Sequence, residues 1–149
     1  MYHKILVPLD GSQRGEHILP HVAEMARRYE AEVIFLQVIT SDAIITDPYQ
    51  ALAYIEMDAL FTQYEKEARS YLTGWQANFN GQKIAARVCV ERGGVVNTII
   101  EVAEREEVDL IAMSSHGRTG LTRAFYGSVA AGVLNRVDRP LLLIRSRDE

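Results

Sequence analysis

Residues 113–130 read MSSHGRTGLTRAFYGSVA, and their types and spacing suit the binding of an anion. Gly117 and Gly120 follow the apolar run DLIAMS (109–114), and Gly127-Ser128 opens the next helical pattern. Glycines let backbone N–H groups approach a ligand closely. At a helix start, unpaired N–H groups and the helix dipole favour negative charge, and the Ser128 hydroxyl adds a donor. Phosphate is the chemistry this arrangement fits. The same residues also make an ordinary strand-to-helix turn with serine as its cap, and spacing alone does not choose between the two. Neither a GxxxxGK[ST] loop nor a GxGxxG turn after a strand occurs in the chain.

Charge is distributed unevenly in a way that favours the same region. The chain carries −4 overall, which argues against a general nucleic-acid binder. From Ile111 onward six arginines face three acids, a net of +3, so the first 110 residues carry −7. Arg118 and Arg123 lie within the glycine-bearing stretch and either contact phosphate or float in solvent. His17 and His21 share a helix face at i, i+4, but no third ligand lies near them in sequence. Cys89 sits amid strand residues as a small hydrophobe and, being alone, forms no intramolecular disulfide.

The elements that must hold these residues alternate. KILVPL near the N-terminus reads as a strand ending in the turn Asp10-Gly11-Ser12, where Asp10 and Ser12 are capping types. A helix is predicted from Ser12 to about Tyr29, with Pro20 awkwardly inside it. EVIFLQVI (32–39) is a second strand, followed by a loop over 40–47 and a helix start at Asp47-Pro48. Leu60, Phe61, Tyr64, Ala68, Tyr71, Leu72, Trp75 and Phe79 then recur at helical spacing, and such an aromatic stripe is read as core. Three further strands, IAARVCV (84–90), DLIAMS and PLLLIR (140–145), enclose two helices. In the first, Val95, Val96, Ile99, Ile100 and Ala103 point inward; in the second, Val129, Val133, Leu134 and Val137 do.

Five strands and four helices in alternation, with strands apolar on both faces, call for a mostly parallel sheet covered on both sides. Right-handed crossovers make it a doubly wound α/β fold of order 3-2-1-4-5, a single domain over residues 1–149. Ligands in such sheets bind at the carboxyl ends of the strands where the order reverses, here between strands 1 and 4. PLDGS (8–12) and SSHG (114–117) meet there. Composition agrees with a globular domain, at 48% apolar and 24% charged residues. No apolar run approaches the ~18 residues that span a bilayer, and MYHKILVPLDGS has no secretory h-region. With one cysteine, a cytoplasmic location is expected.

ILVPLDGS and MSSHGRTGLTRAFYGSVA, followed by RPLLLI, resemble the first strand and the C-terminal signature of the universal stress protein family, and the likeness runs along essentially the whole chain. In the ATP-binding branch of that family the signature is G-x2-G-x9-G-[S/T]. The resemblance implies that Asp10 lies beside the ribose and a Mg²⁺ ion, with Pro8 lining the adenine pocket. It further implies that the backbone of Val38 meets the adenine edge and that Gly117 approaches the ribose and phosphates. Gly127, Ser128 and the backbone of Val129 would hold the phosphates, with His116, Arg118 and Gly120 alongside. The first signature position is Ser114 instead of glycine, where a Cβ crowds the ligand or a hydroxyl hydrogen-bonds it.

The expected function is a stress-response protein that binds ATP and regulates through it, with slow hydrolysis at most. No general base or nucleophile–base pair can be assigned, as efficient phosphoryl transfer requires. A dimeric interaction protein that uses no nucleotide is the alternative. Either way a homodimer is expected through the apolar last strand, Leu141–Ile144, whose open edge invites pairing. The expected partners are an adenine nucleotide and a second copy of the chain, with neither nucleic acid nor membrane.

Overall fold

The computed structural model describes residues 1–40, 51–115 and 127–146, the side chains of 51–55 excepted. Five strands form one sheet: β1 (Lys4–Pro8), β2 (Glu32–Ile39), β3 (Ala86–Arg92), β4 (Leu110–Ser114) and β5 (Leu141–Ile144). Their order is β3-β2-β1-β4-β5, and all four pairings are parallel. The architecture is therefore the doubly wound α/β sheet expected from the alternation, wholly parallel among the described strands.

Among the described residues five helices, not four, connect the strands: α1 (Gln13–Glu16), α2 (Leu19–Tyr29), α3 (Ala51–Gly81), α4 (Val95–Arg105) and α5 (Ser128–Arg136). The extra one arises because the stretch predicted as one helix from Ser12 to Tyr29 breaks at His17-Ile18. Pro20 sits in the first turn of α2, where its missing N–H costs nothing. A continuous helix would have needed that N–H. The third strand also starts two residues later than its apolar run, because the Ile84 N–H is still bonded to the Phe79 carbonyl at the end of α3, at 3.0 Å. The loop over 40–47 and the Asp47-Pro48 start fall largely outside the described residues.

Ile5, Leu6 and Val7 of β1 are all fully buried, which follows from its central place with helices on both faces. Val7 and Phe35 face α2 and α3, where Phe35 meets Phe79 edge-on at 5.0 Å between ring centroids. Leu6 and Ile34 face α4 and α5 with Ile99, Ile111 and Val133. Gly132 lets α5 lie close against α4: a Cβ there would sit 2.7 Å from Val96 Cγ2. On α4 the buried positions are Thr98, Ile99, Val102 and Ala103, a face rotated slightly from the predicted one. Leu134, expected inward on α5, is 47% exposed, and Ala130 takes the buried place instead.

Candidate functional site

A cleft of about 940 Å³ opens at the carboxyl ends of the strands, across the point where the order reverses between β1 and β4. Its size suits a small-molecule ligand. Pro8, Asp10, Val38, Ser114, Gly127, Ser128 and Val129 all line it. Residues separated by more than a hundred positions thus converge as the sequence pattern required. His116, Gly117, Arg118 and Gly120 lie outside the described residues.

The β1 side is built by a chain of short hydrogen bonds. Gly11 turns the backbone at φ +84°, a conformation that L side chains rarely adopt. Asp10 Oδ1 then accepts from the Ser12 N–H at 3.0 Å and from the Ser12 hydroxyl at 2.5 Å. Ser12 Oγ in turn accepts from the Gly15 N–H at 3.1 Å and caps α1. A Cβ on Gly15 would meet Asp10 Oδ1 at 3.0 Å, so that glycine is what lets the carboxylate fold back. The capping role open to Asp10 from sequence is thus one it fills, while it still borders the cleft.

Ser114 lies on the opposite side of the reversal point, and its hydroxyl has a definite partner. Ser114 Oγ donates to the Gly15 carbonyl at 3.1 Å, with the residue only 7% exposed. The hydroxyl therefore ties β4 to α1. This bond joins the two halves of the sheet beside the cleft.

Beyond the undescribed loop the chain returns against the end of β4. The Gly127 N–H donates to the Ser115 carbonyl at 2.6 Å, and the Ser115 N–H to the Ile144 carbonyl at 2.7 Å. Gly127 is the N-cap of α5 and supplies no side-chain cap. Its carbonyl accepts from the Ala131 N–H, the first bond of the helix at 2.9 Å. The N–H groups of Ser128, Val129 and Ala130 have no acceptor within the helix, and all three residues border the cleft. That end of α5 carries the positive pole of its dipole.

The α3 side of the cleft was not visible as such in the sequence. The aromatic stripe divides: Phe61, Leu72 and Phe79 enter the core, whereas Leu60, Tyr64 and Tyr71 line the cleft together with Glu67 and the buried Ala68. The Tyr71 hydroxyl donates to Glu16 Oε2 at 2.6 Å, and burial together with that carboxylate pushes it above the ordinary tyrosine range. Gln37 of β2 also lines the cleft, and its buried Oε1 has no hydrogen-bond partner among the described residues. Its position between apolar neighbours was the available signal, since a polar side chain within an otherwise apolar strand needs an explanation. Among the described residues no cluster of three or more His, Cys, Asp or Glu could hold a metal, and His17 and His21 are exposed.

The profile of the Universal stress protein family matches residues 1–145. Universal stress protein MJ0577 of Methanocaldococcus jannaschii is 30% identical over 158 aligned residues, covering 99% of this chain and 98% of that one. The solved structure of MJ0577 superimposes with a TM-score of 0.87 at 28% identity, covering 100% of this chain and 99% of the other. A universal stress protein in complex with cAMP shares the fold at 18% identity and a TM-score of 0.68, over 98% of each chain. So does an Arabidopsis thaliana family member with AMP bound, at 12% identity and a TM-score of 0.64, over 97% of this chain and 92% of that one. On sequence and fold alike, this chain belongs to the universal stress protein family.

Proposed function

We propose that this protein binds ATP in the cleft and acts as a nucleotide-dependent regulator of the stress response. The observation that carries the reading is the start of α5: three backbone N–H groups without helical acceptors, at the positive pole of a helix, on the edge of a cleft of nucleotide size. The phosphates lie on Ser128, Val129 and Ala130, with the Gly127 backbone and the Ser128 hydroxyl beside them. Pro8 lines the pocket for the base, the backbone of Val38 meets its edge, and Asp10 borders the ribose. The family resemblance assigns His116, Gly117, Arg118 and Gly120, which lie outside the described residues, to the nucleotide as well. The two relatives with cAMP and AMP support the nucleotide class.

Mg²⁺ fits this arrangement in one way. Asp10 is a single carboxylate on that side of the cleft, which suits an ion held mainly by ligand phosphates and water instead of an all-protein cage. The ion would neutralise phosphate charge. Hydrolysis is slow at most, because no general base or nucleophile–base pair can be assigned, as efficient phosphoryl transfer requires.

The working form is a cytoplasmic homodimer. β5 pairs with β4 on one side only, and Leu141, Leu142, Leu143 and Ile144 are all half-buried at the open edge. Pairing of Leu141–Ile144 with its copy across a two-fold axis covers that edge. Sedimentation at micromolar concentration should give a dimer, and a monomer removes this part of the reading. No helix among the described residues is long and apolar enough to cross a membrane.

Denaturing the purified protein, identifying any released nucleotide by chromatography, and titrating Mg-ATP into stripped protein by calorimetry tests the reading. ATP released or tightly bound supports it. A stripped protein that binds no nucleotide at several temperatures contradicts it and leaves the dimeric interaction protein as the account.

A further inference from the structure

On the α3 side of the cleft, two residues have properties that the core does not explain. Gln37 lies between Phe35 and Ile39, both of which pack toward α3, so strand alternation puts it on the same face. Its Oε1 is sealed from water yet accepts no hydrogen bond among the described residues. A buried amide oxygen without a donor destabilises the fold, and Gln37 is flanked in β2 by the apolar residues Leu36 and Val38. Tyr64, on the facing helix, is 39% exposed, one of three large hydrophobic side chains left exposed among the described residues. Both line the cleft.

The wall that carries Tyr64 is held in place from the end of β3. Arg92 pairs with Asp58 at 3.2 Å and with Glu65, and its guanidinium lies 5.1 Å from the centroid of the Phe61 ring. Phe61 packs with Ile39 and Ala68 beneath. Leu60 and Tyr64 occupy the same turns of α3 and so share this anchorage. Arg92 is a positioning residue for that wall.

We propose that Gln37 and Tyr64 form a ring-recognition subsite that takes a planar heterocycle bearing an exocyclic amine: Tyr64 stacks on the ring, and Gln37 Oε1 accepts the amine proton. Rotation about the last side-chain torsion of Gln37, which is broad for an amide, brings the oxygen from the wall to the ligand. The subsite deepens the nucleotide reading and rests on it, with the phosphates at α5 and the base against α3.

The test compares adenosine, which has the amine and no phosphate, with inorganic tripolyphosphate, which has the reverse, by calorimetry on the wild type, Gln37→Leu and Tyr64→Ala. Gln37→Leu should raise the melting temperature of the free protein while weakening adenosine about tenfold. A residue with a structural role alone cannot produce that opposition. Tyr64→Ala should weaken adenosine by about tenfold as well. Tripolyphosphate binding should be unchanged in both. Adenosine affinity that survives both substitutions, or a Gln37→Leu protein that melts lower, overturns the subsite. If the wild type binds tripolyphosphate and not adenosine, the subsite fails while the phosphate reading stands. Adenosine bound without tripolyphosphate supports the subsite and refutes the α5 phosphate site, and silence with both refutes the two together.

Discussion

The two ends of the sheet are built on opposite principles. At the amino ends of the strands, polar groups are matched. Asp109 Oδ2 accepts from the His3 and Lys4 N–H groups at 2.6 and 2.8 Å, joining the start of β1 to that of β4. Arg139 donates to the carbonyls of Ala103 and Val108, closing the end of α4, and Lys4 Nζ donates to the Glu106 carbonyl at 3.0 Å. Arg87 bridges Glu32 and Glu106, and that guanidinium holds the Glu106 carboxyl below its usual range. At the carboxyl ends, three helix N–H groups without helical acceptors border a cleft, and one buried amide oxygen in its wall has no partner among the described residues. Polar groups satisfied within the protein stabilise it; those left over are available to something else.

This contrast can be broken by substitutions at either end. Asp109→Ala should have the largest effect on stability, about 2 kcal/mol, because two charge-assisted bonds are lost and the part-buried Lys4 N–H is orphaned. Nucleotide affinity should be untouched, as the site is at the other end. Chemical denaturation alongside an ATP titration checks both halves. A large loss of affinity at temperatures where the variant is folded would mean that the ends are coupled.

Asp109 also gives the contrast a pH signature. Burial, the largest single influence, pushes its carboxyl up, but the two backbone N–H groups of Lys4 and His3 together outweigh it and hold the group below the usual range. Its folded value therefore lies below the unfolded one, about 3.9. The contribution is full above that value and disappears as pH falls through the folded one. Wild type and Asp109→Ala should thus converge in stability below about pH 4. A gap between them that does not narrow as pH falls below about 4 would rule out this carboxylate as the cause.

Ser114→Ala should cost about 1 kcal/mol by freeing the Gly15 carbonyl. Because that bond sets α1 and the Asp10 turn against β4, nucleotide affinity should fall with it. Unchanged affinity would show that the tie serves stability alone. The smallest effect is expected from Arg92→Ala, whose ion pairs are solvent-exposed and add little to stability. It should weaken adenosine a few-fold and leave tripolyphosphate alone, a split that general loosening of the fold would not give.

The fold was legible because strands apolar on both faces, separated by helical patterns, admit few arrangements. The convergence of Asp10, Ser114 and Gly127 followed from that order. What sequence did not show depends on side-chain direction across long separations. Ser114 lines the cleft, and what its hydroxyl donates to, a carbonyl 99 residues away, could not be read from spacing. Tyr64 and Phe61 belong to one periodic stripe, yet Tyr64 lines the cleft while Phe61 packs on Ile39. The break at His17-Ile18 was signalled by Pro20, which has no N–H to give the Glu16 carbonyl four residues back, although both break residues keep αR geometry.

Amide chemical-shift mapping with Mg-ATP tests the central claim most directly, since it reports where the ligand sits. Shifts concentrated at Gly127–Ala130, Asp10–Ser12 and the Gln37 side chain, with His3, Lys4 and Asp109 unmoved, are what the account predicts. Shifts at the amino ends of the strands, or none at saturating nucleotide, would contradict it.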